Sequence, residues 1–297
     1  VGTRGSPLAM MQARTVTRWL HDHYPMHSFE IVVVATKGDQ NQEAWLHKLG
    51  ATDSSFAKEL ENALHQDRID IAVHSLKDME STIPKELRLV AITERCDARD
   101  VLVSRKYKSM SAMPRGSVIG TTSLRRKFQI MKEYPQVVIE KCRGTIETRL
   151  RKSGEAPYAG VVMAAAGLKR MGKFDRDDVH PINDINEYAV GQGCLGIECR
   201  EDDAEVMSMC QELNHEPSRA RCVAERAMLA AIHGGCGTPV SVRSHYTQEG
   251  HVALSGSLFD ANGGVRSYTA SGPDPLTVGN MVGAELAHRV DHLDHPV

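Results

Sequence analysis

The chain has 297 residues, of which 41% are hydrophobic and 25% are charged, and its formal net charge is −2. This length exceeds one ordinary hydrophobic core and predicts two or three domains of a soluble globular protein. The small net charge excludes binding to nucleic acid or to an anionic membrane through overall charge, so recognition of anions must come from local clusters of Arg and Lys.

Two further classes are disfavoured by the sequence. No apolar run approaches the roughly 20 residues that cross a bilayer. The seven Cys form no C-x-x-C pair and have no His at zinc-site spacing, so we predict no metal site, a reducing compartment, and mostly buried thiols. The opening residues Val1-Gly2-Thr3-Arg4 are typical of a strand entering a loop, and we expect a truncated N-terminus.

The first two-thirds of the chain alternates β-rich runs with amphipathic segments. The spacing predicts strands at 29–35, 69–76, 87–93, 118–120, 137–140 and 159–164. It predicts helices at 8–21, 56–66, 124–134 and 146–152. This alternation indicates α/β units around largely parallel sheets, which place ligands beyond the carboxyl ends of their strands.

The last third has a different pattern. A helix at 218–232 ends before Gly234-Gly235, and strands follow at 240–244, 251–259 and 265–271, with a hairpin turn at 262–264. A closing helix is predicted at 276–292. These elements predict a smaller α+β domain.

Hydroxyl residues and two arginines follow the strand at 118–120. Thr121 and Ser123 precede a helix that begins with Arg125 and Arg126. A helix N-terminus with nearby Arg is suited to a carboxylate, although the same pattern is typical of a capped surface helix. We expect replacement of Arg126 by Leu to affect binding more than stability.

Basic residues also follow the next two predicted strands. Arg143 and Gly144 come after one strand, Arg149 lies on the following helix, and Arg170 follows the strand at 159–164. If these strands share a sheet edge, the charges converge on a site for a polycarboxylate; otherwise they are solvated surface residues.

The strand at 69–76 delivers polar residues to its end. Ser75, Lys77 and Asp78 follow one another there, and Asp78 is a candidate proton donor or cation stabiliser, with a surface turn as the alternative. A lone His within a strand is more often a hydrogen-bonded core residue than a base, and this is our interpretation of His74.

One thiol lies between glycines at the end of the helix at 218–232. Glycine neighbours remove bulk around the sulfur of Cys236, as covalent attachment of a large group would require. An ordinary helix stop with a buried thiol is the alternative.

Four segments together resemble the porphobilinogen deaminase family in order and spacing. They are Thr3-Arg4-Gly5-Ser6-Pro7-Leu8-Ala9, Val73-His74-Ser75-Leu76-Lys77-Asp78, residues 120–126, and Gly234-Gly235-Cys236. Shorter matches at Arg143-Gly144, Thr148-Arg149-Leu150, residues 166–170 and Val190-Gly191-Gln192-Gly193 extend the resemblance over nearly the whole chain.

The resemblance implies an α/β fold of three domains. Two lobes similar to type II periplasmic binding proteins enclose a cleft, and a smaller C-terminal α+β domain follows. The implied bounds are 1–93 with 194–211 for the first domain, 99–187 for the second and 216–297 for the third.

The resemblance also implies a transferase of tetrapyrrole (haem) biosynthesis. Such an enzyme joins four porphobilinogen molecules head to tail on a covalent dipyrromethane cofactor, and it releases ammonia and hydroxymethylbilane. Cys236 would attach the cofactor by a thioether, and Asp78 would be the catalytic acid. Residues implied to bind cofactor or substrate are Arg4, Ser6, Ser75, Lys77, Thr121, Ser123, Arg125, Arg126, Arg143, Gly144, Arg149, Arg170 and Gln192.

The same resemblance favours a cytoplasmic monomer without nucleic-acid or membrane partners, or a stromal one if the source bears plastids. Two departures qualify it: residues 48–56 lack a second lysine and gain Asp53, and Met79-Glu80-Ser81 replaces a small apolar residue and proline. The departures make a slowed or inactive paralogue one alternative hypothesis. A two-lobed anion-binding protein, which would share the α/β cleft but would not need Cys236, is the other.

Overall fold

Three β-sheets organise the residues that the computed structural model describes, which are 1–35, 55–235 and 237–288. The strands are β1 Gly2–Thr3, β2 Val32–Val33, β3 Ala72–Ser75, β4 Leu87–Ile92, β5 Asp100–Val103, β6 Val118–Gly120, β7 Val138–Glu140, β8 Tyr158–Ala164, β9 Val179–Pro181, β10 Leu195–Arg200, β11 Val240–Tyr246, β12 Val252–Phe259 and β13 Val265–Gly272. The helices are α1 Pro7–His23, α2 Ser55–His65, α3 Leu124–Glu133, α4 Ile146–Lys152, α5 Ala165–Arg170, α6 Ala204–Gln211, α7 Glu216–Ala231 and α8 Pro275–His288.

The described residues separate into two compact units. The first contains residues of Val1–Arg95 and Cys194–Cys222, and the second contains those of Cys96–Gly193 and the chain from Val223 onward. Because β10 lies in the first unit, the chain returns to this unit after completing the five-stranded sheet of the second.

The sheet of the first unit has the order β2-β1-β3-β10-β4. β1 is parallel to β2 and β3, whereas β10 is antiparallel to both of its neighbours, β3 and β4. One face packs Val16 and Leu20 of α1 against Val73 and Ile197. The other face packs α2 against the sheet, with Leu60 and Leu64 beside Ala72.

Helix α1 illustrates how the local sequence sets an element of the first unit. Ser6 is the N-cap, and its Oγ accepts a hydrogen bond from the Ala9 backbone N–H at 3.3 Å, while Pro7 occupies the first turn. Ala13, Val16 and Leu20 recur at three- and four-residue spacing and are fully buried. The same buried face includes the polar Gln12.

The five-stranded sheet of the second unit repeats this topology, with the order β7-β6-β8-β5-β9. β6 is parallel to β7 and β8, and β5 is antiparallel to β8 and β9. In each sheet, therefore, three parallel strands adjoin one antiparallel strand and then an outer strand. This confirms the predicted α/β class, with a mixed five-stranded sheet in each of the two units.

The third sheet is an antiparallel meander, β11-β12-β13, covered by α8. Gly263, with a φ of 85°, lies in the turn between β12 and β13, as the sequence predicts. Gly279 and Gly283 bring α8 close to α7, because a Cβ on Gly279 would lie 2.2 Å from the Ala224 carbonyl oxygen. The predicted α+β character of this region is confirmed.

Most predicted elements are present, with shifted ends. The predicted strand at 29–35 shortens to β2, and the predicted helix at 124–134 becomes α3. Strands β5, β9 and β10 were not predicted. Among the described residues, no helix combines the length and apolar character needed to cross a membrane.

Candidate functional site

The first unit brings two predicted segments to one edge of its sheet. Arg4 and Ser6 follow β1, and Asp78 closes the 3₁₀ turn Leu76–Asp78 that follows β3. Since β1 and β3 are parallel neighbours, their carboxyl ends lie at the same edge. Lys77 lies on the same 3₁₀ turn.

A pocket at this edge brings four of the predicted site residues together. Its polar lining consists of Arg4, Ser6, Gln12, His74, Ser75 and Asp78, and its apolar lining of Leu8, Ala9, Ala57, Leu60 and Val73. A guanidinium, two hydroxyls and a carboxylate therefore share one small cavity. These groups are suited to a ligand that carries carboxylates and develops a positive charge.

Gln12 was not predicted from the sequence, and it fixes one of the pocket hydroxyls. Ser75 Oγ lies 2.8 Å from Gln12 Nε2 and 3.1 Å from Gln12 Oε1, so the hydroxyl accepts from the amide nitrogen and donates to the amide oxygen. The available signal was a polar residue on the apolar stripe of α1, since Gln12 is only 3% exposed.

His74 is a buried, hydrogen-bonded residue, as interpreted from the sequence. Its Nε2 lies 3.0 Å from Oε2 of Glu198 on β10, and both side chains are buried. His74 also lines the pocket with Asp78. Nothing in the sequence links His74 to Glu198, because 124 residues separate them.

The second unit gathers another set of predicted residues at one sheet edge. Thr121 and Ser123 follow β6, Arg143 and Gly144 follow β7, and Arg170 ends α5, which directly follows β8. β6 is parallel to both neighbouring strands, so all three carboxyl ends lie at the same edge. Arg149 lies on α4, which begins two residues after Gly144.

The hydroxyls at this second edge stabilise the start of α3. Ser123 Oγ accepts from the Arg126 backbone N–H at 3.4 Å, and Thr121 Oγ1 accepts from the Ser123 N–H at 3.2 Å. The capped helix that the sequence offered as an alternative is therefore present. Its two arginines, however, are buried and do not lie on the surface.

Arg125 and Arg126 converge on Asp100, the first residue of β5. Arg126 donates to both carboxylate oxygens of Asp100 at 2.8 and 3.1 Å, and Arg125 Nη2 lies 2.9 Å from Asp100 Oδ2. Gln192 Nε2 donates to Asp100 Oδ1 at 2.9 Å and to the Ala98 carbonyl at 2.6 Å. Burial alone would raise the pKa of Asp100, but the two guanidiniums outweigh it and hold that pKa well below its usual range.

This network argues against the expectation that replacement of Arg126 affects binding more than stability. A leucine there would leave Asp100 buried with one guanidinium partner fewer, and losing a partner of a buried ion pair destabilises strongly. Asp100 itself was missed, because an Asp at the start of an apolar run carries no local signal for two arginines 25 and 26 residues later.

Two other predicted residues of this edge have defined surroundings. Arg170 Nη2 donates to the Gly193 carbonyl oxygen at 2.7 Å. Gly144 has a φ of 126°, and a Cβ there would lie 2.6 Å from a side-chain carbon of Thr148. The loop after β7 therefore requires glycine at this position.

Cys236 lies outside the described residues, as does the altered segment up to residue 54. One hydrogen bond joins the residues before and after Cys236: the Gly235 N–H donates to Thr238 Oγ1 at 2.9 Å. Of the other six cysteines, five are buried and Cys96 is partly buried. Burial raises the pKa of Cys199 to about 11 and that of Cys210 to about 12, which makes them poor nucleophiles.

Two family models match the sequence over most of its length. The model described as porphobilinogen deaminase, dipyromethane cofactor binding domain, matches residues 1–208. The model described as porphobilinogen deaminase, C-terminal domain, matches residues 219–288.

Curated relatives give the same result. The porphobilinogen deaminase of Gloeobacter violaceus is 40% identical over 293 residues, which cover 96% of this chain and 89% of the relative. That of Nostoc is 42% identical and covers 89% and 82%, and that of Bacillus subtilis is 39% identical and covers 97% and 92%. Among solved structures, the methionine binding protein MetQ superimposes with a TM-score of 0.44 at 16% identity, covering 76% of this chain and 91% of its own.

Proposed function

The chain belongs to the porphobilinogen deaminase family, and on this premise we propose that it joins four porphobilinogen molecules head to tail on a dipyrromethane primer. The reaction releases hydroxymethylbilane and ammonia. The observation that carries the proposal is the pocket of the first unit, in which Asp78 shares a cavity with Arg4, Ser6 and Ser75.

The residues of this pocket fit the chemistry of a carboxylated pyrrole. In each addition the C–N bond of the aminomethyl group breaks, ammonia leaves, and a cationic methylene pyrrole remains. A C–C bond then forms to the α-carbon of the preceding pyrrole, which gives up its proton. The carboxylate of Asp78 would stabilise the cation and assist the proton transfer, because a fixed charge acts strongly in a partly desolvated pocket.

Arginine and hydroxyl groups would hold the acetate and propionate of each pyrrole. Arg4, Ser6 and Ser75 line the pocket of the first unit, and we propose Lys77 as a further contact. In the second unit we propose Arg143, Gly144, Arg149 and Arg170, since their segments share one sheet edge. Guanidinium groups bind carboxylates through two parallel hydrogen bonds, which suits a chain that gains two carboxylates per unit.

A different role is proposed for three buried residues, Arg125, Arg126 and Gln192. Their burial and their bonds to Asp100 favour a positioning role, in which the network holds the start of α3. Thr121 and Ser123 stabilise the same helix start. In this proposal their hydroxyls are further polar groups at this sheet edge.

We propose Cys236 as the attachment point of the dipyrromethane group, because it alone among the seven thiols matches the family's Gly-Gly-Cys segment. When bound, this group supplies the nucleophilic pyrrole carbon to which the first substrate adds. The purified protein should therefore exceed its sequence mass by two porphobilinogens less two ammonias. A thioether resists reduction, so the excess should persist in dithiothreitol.

One experiment on the purified chain tests both parts of the proposal. Incubation with porphobilinogen should release four ammonias per hydroxymethylbilane, and intact mass should show the primer. Cys236→Ser should lose the excess mass, since a neutral hydroxyl is a poor nucleophile, whereas the control Cys96→Ser should keep it. An adduct on another cysteine would refute the attachment site, and binding of porphobilinogen without turnover would favour an anion-binding protein or an inactive paralogue.

The domain division into 1–93 with 194–211, 99–187 and 216–297 is also a proposal. Each of the three sheets falls within one of these ranges, which supports it. We further propose a cytoplasmic monomer. The bacterial origin of the relatives named above supports the location, and light scattering of the purified protein would test the monomeric state.

A further inference from the structure

Two glutamates and one histidine lie together behind the pocket that Asp78 lines. His74 and Glu198 project from neighbouring strands on the face of the sheet that α2 covers, because Gly196 is opposite His74 and Ala72 is opposite Glu198 in the register. Glu61, on α2, is only 8% exposed.

The hydrogen bonding of this cluster is incomplete in one respect. Glu198 Oε2 accepts from His74 Nε2 at 3.0 Å, but the buried Glu198 Oε1 has no hydrogen-bond partner among the described residues. Burying a carboxylate oxygen without a hydrogen-bond partner is costly, so this side of the cluster is suited to a further hydrogen-bond donor.

Burial and neighbouring charges favour a proton on Glu61. Burial and the charge of Glu198 raise the pKa of Glu61 to about 7, partly opposed by His74. Glu80 and Lys58 act on Glu61 in opposite directions, and Arg4 and Asp78 share the pocket with His74. With Glu61 protonated, the cluster carries one negative charge fewer than with Glu61 ionised, and this lowers the cost of burying it.

We propose that Glu61 holds a proton beside the His74–Glu198 pair behind the Asp78 pocket, and that His74 is a positioning residue through which this proton governs substrate binding. The proton exchanges with solvent. Its loss adds one negative charge behind the pocket, and this charge disfavours a substrate that carries two carboxylates. The effect on turnover rests on the proposed function, whereas the proton site does not.

The proton site can be tested on the resting protein by NMR with ¹³C-labelled glutamate and ¹⁵N-labelled histidine. One carboxyl signal should titrate near pH 7 and disappear in Glu61→Gln. The His74 ring should respond at the same midpoint. In Glu198→Gln the Glu61 midpoint should move partway toward that of an ordinary glutamate, because burial still raises the pKa of Glu61 but the charge of Glu198 no longer does.

The exposed Glu205 provides a matched control, and Glu205→Gln should leave the Glu61 titration and the His74 ring signals unchanged. A Glu61 signal that titrates like an ordinary glutamate, or a His74 ring that is insensitive to Glu61→Gln, would overturn the proton site. If a variant fails to fold, the titration of the unmodified protein still tests the proton site.

The functional consequence has its own readout. The KM for porphobilinogen should rise on the order of tenfold between pH 6 and pH 8, and Glu61→Gln should abolish this rise with little change in kcat. A purely structural role would change thermal stability without moving the pH profile. Absence of turnover at every pH would refute the proposed function alone, while normal turnover with a flat KM would refute the positioning role.

Discussion

Replacing Asp100 by Asn would test how strongly the buried network holds the second unit together. Asp100 receives four hydrogen bonds or ion contacts from Arg125, Arg126 and Gln192, all between 2.8 and 3.1 Å. Asparagine keeps the shape but offers one acceptor oxygen, and its amide nitrogen faces a guanidinium. Two buried cations then lose the charge that compensates them.

The expected loss follows from this burial. Removing one partner of a buried ion pair destabilises by about 3–5 kcal/mol, which for a unit of this size corresponds to a fall in Tm on the order of 10 °C. The charge of Asp100 stabilises the fold above the pKa of an unfolded aspartate, because its folded pKa is depressed. The loss should therefore be fully visible at neutral pH.

Urea denaturation at pH 7, followed by circular dichroism, measures the effect. Glu155→Gln is the matched control in the same unit, because its ion pair with Arg151 is half-exposed and should contribute less than about 1 kcal/mol. If Asp100→Asn were as stable as this control, the network would not stabilise the unit, and the positioning role of Arg125 and Arg126 would be untenable.

Three further perturbations concern the first unit. Asp78→Asn should retain the fold and the primer but lower the rate of elongation by a factor of about 10²–10³. Asp78→Glu should retain more activity than Asp78→Asn. Near-normal turnover of the asparagine variant would show that Asp78 takes no part in the chemistry. Arg4→Leu should raise the KM for porphobilinogen by roughly tenfold or more with a nearly unchanged Tm, and an unchanged KM would contradict its role as a carboxylate contact. The folded state binds the Glu61 proton more tightly than the unfolded state, so the contribution of Glu61 to the free energy of unfolding should fall by up to about 3 kcal/mol as pH rises from 4.5 through 7. Glu61→Gln should remove this contribution in urea titrations, and an equal slope in both proteins would contradict it.

The sequence determined the elements whose signals are local. The three- and four-residue spacing of Ala13, Val16 and Leu20 predicts α1, and the turn at Gly263 is set by the residues that form it. The sheet edges were also predictable, because residues that follow parallel strands lie at the carboxyl ends of those strands. Asp78 was singled out on this basis, whereas Arg4 was assigned to the same site by the resemblance of its motif.

Tertiary structure alone decided the partners of the charged residues. The sequence suggests a surface position for Arg126, at the start of a helix. In the folded chain Arg126 is buried and pairs with Asp100 of β5. Glu198 sits in the unpredicted β10, whose place between β3 and β4 becomes apparent only when the chain returns to the first unit. The repeated strand order of the two five-stranded sheets is equally invisible in the residues. Local spacing reports which face of an element is apolar, but the pairing of buried charges depends on contacts between residues 26 to 124 positions apart, and these contacts exist only once the sheets are assembled.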